Sequence, residues 1–126
     1  MEIEEIIEKS IDRVIIRLRA EGILKSDEKT VMEKTEELLK RYEGFKLSDE
    51  PITRKILAKV DDALKSVQDD PYYLIIPMTY FEHTSRENIA DYFGVTERTI
   101  TRHKSRLIDQ MSVILFSDDV MMRILN

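Results

Sequence analysis

Cysteine is absent from the 126 residues, which excludes a disulfide framework, a thiolate zinc site and a cysteine nucleophile. Glycine and proline are scarce, three of each. That leaves little turn chemistry for a strand-rich fold, while the abundance of Glu, Lys, Leu and Ile favours helices throughout. No apolar run approaches a membrane span. The start, Met1-Glu2-Ile3-Glu4-Glu5, has neither the basic segment nor the uninterrupted apolar stretch of a secretory signal. The expectation is an all-α, cytoplasmic protein that is neither exported nor embedded. There is also no glycine-rich phosphate loop, no nucleophile motif and no isolated carboxylate pair, so the chain is not expected to be an enzyme. No cofactor or metal is expected either.

Hydrophobic residues make up 42% and charged residues 36%, enough apolar surface to offset the entropy of ordering a core. Ile3, Ile6, Ile7, Ile11, Val14, Ile15 and Leu18 recur at three- and four-residue steps, predicting a first amphipathic helix that runs to about Gly22. Its wide stripe is either core or a dimer seam. A second helix starts either at Ser26-Asp27 or at the capping box Thr30-Val31-Met32-Glu33. It carries Val31, Thr35, Leu38, Leu39 and Tyr42 inward, with Gly44 placed to stop it.

Ser48-Asp49-Glu50-Pro51 reads as a cap with proline in the first turn, opening a third helix on Ile52, Ile56, Val60, Leu64 and Val67. The joint from Tyr42 to Pro51 looks least packed. It divides the chain into an N-terminal helical pair, residues 1–47, suited to dimerisation or interaction, and a unit of residues 48–126 that holds the chemistry. Asp69-Asp70-Pro71 repeats the start signal before Tyr72 to Phe81, a run too apolar to face water. It predicts a central buried helix that Pro77 kinks or shortens, with a strand over 72–76 as the competing reading.

Thr84-Ser85-Arg86-Glu87 fits a capping box, with the Thr84 hydroxyl on the Glu87 amide. A short helix follows through Ile89, Ala90 and Phe93. Gly94 then stands where the chain must turn, Val95 can pin that turn to the core, and Thr96 can cap a further helix. Small Ala90 would let the two helices approach closely. At 100° per residue, Ile100, Leu107 and Met111 fall within about 20° of one line, with Ile108 alongside. The opposite face holds Arg98, Thr101, Arg102 and Ser105, with Arg106 on one flank. From Gly94 to Ile108 there are four Lys and Arg against Glu97 alone, a net +3, which leaves −8 for the rest of a chain whose formal charge is −5. This is the pattern of a helix-turn-helix whose second helix enters a DNA major groove. Thr96, Arg98, Thr101 and Arg102 are the expected base contacts. Arg86, Lys104, Ser105 and Arg106 are the expected phosphate contacts.

Residues 69–119 also resemble a known family. Tyr73, Tyr80-Phe81, Ile89-Ala90, Gly94-Val95-Thr96, Thr99-Ile100, Arg102-His103-Lys104 and Leu107-Ile108 look like the C-terminal part of ArpU-type phage late-transcription regulators and, more distantly, region four of sigma-70 factors. The resemblance covers under half of the chain. Pro77 and His103, the latter at a position commonly apolar in such motifs, depart from the pattern. The resemblance implies a transcription factor of phage or prophage origin whose second motif helix reads double-stranded DNA at a promoter or late operon. The chain is too short to hold the promoter-melting regions of a sigma factor.

Other readings stay open. The same fold could dock RNA polymerase or another regulator with little DNA contact, or serve as a small DNA-packaging component, and a homodimer would present two reading helices. Asp69-Asp70 and Asp118-Asp119 read as helix caps in preference to paired acids or a cation site. Tyr72, Tyr73, Tyr80, Tyr92 and Phe93 read as core in preference to a base-stacking platform. His83 is placed in a loop, and His103 at the edge of the apolar stripe. Val120, Met121, Met122, Ile124 and Leu125 suggest a short closing helix.

Overall fold

The computed structural model describes residues 30–117. The expected first helix, the Ser26-Asp27 cap, Asp118-Asp119 and the closing helix lie outside the described residues. Within them the chain is all-α, with six helices and no strand: α1 (Val31–Lys40), α2 (Tyr42–Lys46), α3 (Pro51–Val67), α4 (Ile75–Tyr80), α5 (Arg86–Phe93) and α6 (Glu97–Leu115).

Helix α1 starts where the capping box predicts. Thr30 Oγ1 accepts from the Glu33 amide at 3.1 Å, satisfying one of the amides that a helix start leaves unpaired. Leu38 and Leu39 are buried as expected, but Val31 is 40% exposed. Gly44 does not stop the chain: it lies inside α2, which ends at the Leu47 cap. The extra turn buries Phe45. It also brings Tyr42 onto the Phe81 ring at 4.7 Å and its hydroxyl to Asp61 Oδ1 at 2.6 Å. Burying an aromatic ring is worth about 1.5–3 kcal/mol, more than the roughly 1 kcal/mol a helical glycine costs. The joint between Tyr42 and Pro51 is therefore packed in its first half, and Leu38, Leu39 and Phe45 share one core with α3 and α6.

Pro51 occupies the first turn of α3, where its missing N–H costs nothing. The cap residue is Glu50, without a side-chain cap bond, while Ser48 Oγ accepts from the Glu50 amide at 3.2 Å. Ile52, Ile56, Val60, Leu64 and Val67 are all buried along this helix.

The apolar run after Pro71 departs from expectation. Neither a strand nor a helix begins at Tyr72. Residues 71–74 form successive turns, in which the amides of Tyr73, Ile75 and Ile76 donate to the carbonyls of Asp70, Tyr72 and Tyr73 at 2.9–3.1 Å. Asp70 Oδ1 accepts the Tyr72 amide at 2.9 Å, closing a local turn in place of a helix cap. Helix α4 starts only at Ile75, so Pro77 falls in its first turn and neither kinks nor breaks it. Consecutive residues then face different neighbours. Ile76 joins the large core with Leu107, Ile108, Met111 and Leu115. Ile75 joins a smaller cluster with Ile89, Ala90 and Ile100. Helix α6 spans both clusters and is the axle of the fold.

Candidate nucleic-acid interface

Helices α5 and α6 are joined by Gly94-Val95-Thr96. The α5 cap is Ser85, one residue later than expected: its Oγ accepts the Asn88 amide at 3.2 Å, while the Thr84 amide is taken by the Met78 carbonyl at 2.8 Å. Glu87 has no part in this cap. At the other end Gly94 sits at φ +67, its amide donating to Asp91 and that of Val95 to Ala90, at 3.2 and 3.1 Å. This pair of bonds closes the helix with a left-handed residue, and a contact between the flanking apolar residues normally accompanies it. Here Val95 and Ala90 belong to the same cluster. Thr96 Oγ1 then accepts the Thr99 amide at 3.2 Å and starts α6.

One side of α6 is fully committed to the interior. Ile100, Leu107, Ile108 and Met111 are at most 4% exposed. That anchoring fixes which side chains can face outward. Arg98, Arg102 and Ser105 are exposed, and Thr101 is half-buried at the rim. Together with Arg86 and Glu97 they line a single shallow depression. Arg86 reaches into it from the first position of α5, with Nε donating to Glu97 Oε1 at 3.1 Å and Nη1 to Thr101 Oγ1 at 3.3 Å. The pair is largely exposed, so it orients the guanidinium more than it stabilises the fold. Glu97 is favourably placed for the α6 dipole, in its first turn.

Five of the eight expected contact residues therefore meet in one place. Thr96 stands at the start of α6 with its hydroxyl engaged in the cap. Lys104 lines a small neighbouring cleft with Thr79, Thr84, Arg86, Ile89, Ile100 and Thr101. Arg106 is turned elsewhere: it forks onto Asp70, Nη1 to Oδ2 at 2.8 Å and Nη2 to Oδ1 at 3.0 Å. The hydrogen bonds from Arg106 hold the Asp70 carboxyl below the usual carboxylate range, and Asp70 in turn raises Arg106. His103 stacks on Tyr72 with ring centroids 3.8 Å apart. Burial first, then the charges of Arg106 and Arg102, lower its pKa.

Glu97 and Asp70 are the two participants that reading by residue type missed. A Glu in the first turn of a cationic helix is a signal that could have marked Glu97 as a partner for Arg86. Nothing local links Asp70 to Arg106. Among the aromatic residues, Tyr80 is buried, Tyr72, Tyr73 and Phe93 are half-buried, but Tyr92 is 61% exposed and is not core.

The depression gathers three guanidinium groups, Arg86 held by Glu97 and Thr101 and Arg98 and Arg102 exposed on α6, an arrangement able to hold an anionic or acceptor-rich surface. Among the described residues, no three His, Asp or Glu side chains are grouped to hold a metal ion, and no helix is long and apolar enough to cross a membrane. The sequence matches no protein-family model, no curated protein and no solved structure.

Proposed function

We propose that this chain is a cytoplasmic, sequence-specific transcriptional regulator that binds double-stranded DNA, with α5, the Gly94 turn and α6 acting as a sigma-region-four-like helix-turn-helix. The observation that carries the reading is the division of α6. Ile100, Leu107 and Met111 are clamped in the core while Arg98, Thr101, Arg102 and Ser105 face one open depression with Arg86. A helix anchored this way can lie in the major groove, its guanidinium forks aimed at guanine O6 and N7 and its flanking donors at phosphates. The acidic remainder of the chain, −8 outside residues 94–108 against +3 within them, orients the cationic face toward the duplex and disfavours other approaches.

The likeness of residues 69–119 to ArpU-type phage regulators supports the same role at a phage or prophage promoter, where RNA polymerase is the natural second partner. A paired second copy would set two reading helices roughly 34 Å apart and select a palindromic site. The test is selection of duplexes from a random library by the full chain, followed by titration of the enriched duplex across salt concentrations. Enrichment of one sequence, with affinity falling steeply as salt rises, is the expected result. Failure to bind duplex DNA at about 50 mM salt, where phosphate contacts are strong, overturns the reading in favour of a protein adaptor.

A further inference from the structure

Asp70, Tyr72, His103 and Arg106 form a closed cluster, and none of them lines the depression. Beyond the two bonds to Asp70, Arg106 Nε lies 3.3 Å from His103 Nδ1. A guanidinium has only donors, so Nδ1 accepts and His103 is neutral in this arrangement. Asp70 is equally committed, its Oδ1 also taking the Tyr72 amide, and its side chain is only 19% exposed. Tyr72 lies flat on His103 and tilts against Phe93 at 5.2 Å. The cluster thus ties α6 to the turn before α4 and to the end of α5.

We propose that Arg106 is a positioning residue, locked to Asp70 so as to hold in register the rotation of α6 that its buried seam sets, and is not a phosphate ligand. The inference rests on the DNA reading above. A phosphate could take the Arg106 fork only by displacing the carboxylate that already fills it in bidentate geometry, and with His103 on the Nε side a single outward Nη1 N–H is all that is left for an anion. Setting the helix instead makes use of that geometry. The rotation of α6 decides whether Arg98, Thr101 and Arg102 point together into the groove.

The two roles predict different outcomes for one isosteric change. If Arg106 bound phosphate, Asp70→Asn would free it and remove a repelling charge, so affinity for both duplexes would rise together and their ratio would hold. As a positioning pair, Asp70→Asn and Arg106→Ala both loosen the same contact. Each then lowers the ratio of affinities for the enriched duplex and a scrambled one, by about three- to tenfold, the lower range of couplings between contacting residues. That ratio compares two duplexes with one protein preparation, so a change confined to the folded fraction cancels out of it. Arg106→Lys keeps the charge but not the fork, and behaves like alanine. An unchanged ratio in Asp70→Asn or in Arg106→Ala overturns the proposal and leaves the DNA reading standing. A library from which the wild-type chain enriches no duplex overturns both.

Discussion

The Tyr80 hydroxyl donates to Glu36 Oε1 at 2.8 Å, joining α4 to α1 across 44 positions of sequence. Burial and this bond to a carboxylate raise the Tyr80 phenol far above its ordinary value. Burial and Asp61 push Tyr42 up to about 12. For a phenol raised in the folded state, the folded chain keeps its proton after the unfolded chain has lost it. Its stabilising contribution is complete below about pH 10 and declines as the pH rises from there toward the folded value. Denaturant midpoints should therefore fall above pH 10, through about 12 for Tyr42. Tyr80→Phe should cost about 1–2 kcal/mol at neutral pH, the range of a hydrogen bond to a charged group discounted for partial exposure, and should flatten the alkaline decline.

Among the described residues, two take the left-handed backbone region, Gly94 at φ 67 and His83 at φ 54. A Cβ on Gly94 would meet nothing within 4 Å, so Gly94→Ala tests conformation alone. It should destabilise by about 1–2 kcal/mol, the cost of a β-carbon in that region. His83→Gly should act in the opposite sense, gaining up to about 1 kcal/mol after the entropy that glycine adds to the unfolded chain. Equilibrium urea unfolding of both variants checks the pair; a neutral Gly94→Ala would remove the need for glycine at the turn.

At the acid end, His103 and Asp70 work in one direction. Both pKa values are lowered in the folded chain, so the unfolded chain takes up protons first. The His103 contribution is complete above about pH 6.5 and is lost as the pH falls from there; that of Asp70 is lost below its ordinary value near 4. Unfolding midpoints should drop between neutral pH and about pH 5. His103→Gln should remove part of that drop while leaving the alkaline limb unchanged.

What was legible in the chain was local. The spacing of Ile52, Ile56, Val60, Leu64 and Val67 marks α3, and that of Ile100, Leu107 and Met111 assigns the buried side of α6, because helical period alone decides both. Gly94 and Thr96 were legible because left-handed backbone and helix starts each demand particular residue types. The errors fall where two local signals compete and a distant group decides. Thr84 and Ser85 are both acceptable caps, and Thr84 loses because its amide is taken by Met78. The Asp69-Asp70-Pro71 start signal launches turns instead of a helix, with Asp70 held by Arg106, 36 positions away. Gly44 passes through a helix because Tyr42 and Phe45 find partners in α3 and beyond. The direction of Arg106 itself belongs to the same class.

The sharpest test of the interface compares Arg102→Ala with Lys104→Ala. Arg102 is exposed in the depression and lies outside both hydrophobic clusters. Its loss should leave the melting temperature unchanged. A bidentate contact to guanine contributes about 1–3 kcal/mol of base discrimination, so the variant should bind the enriched duplex roughly 5- to 150-fold more weakly while its affinity for scrambled DNA changes much less. Lys104 lines the cleft beside the depression and should act through phosphate. Its loss should weaken both duplexes alike and reduce the slope of log affinity against log salt by about 0.9. Equal behaviour of the two variants would mean that α6 contributes charge without reading bases, reducing the interface to a non-specific polyanion surface.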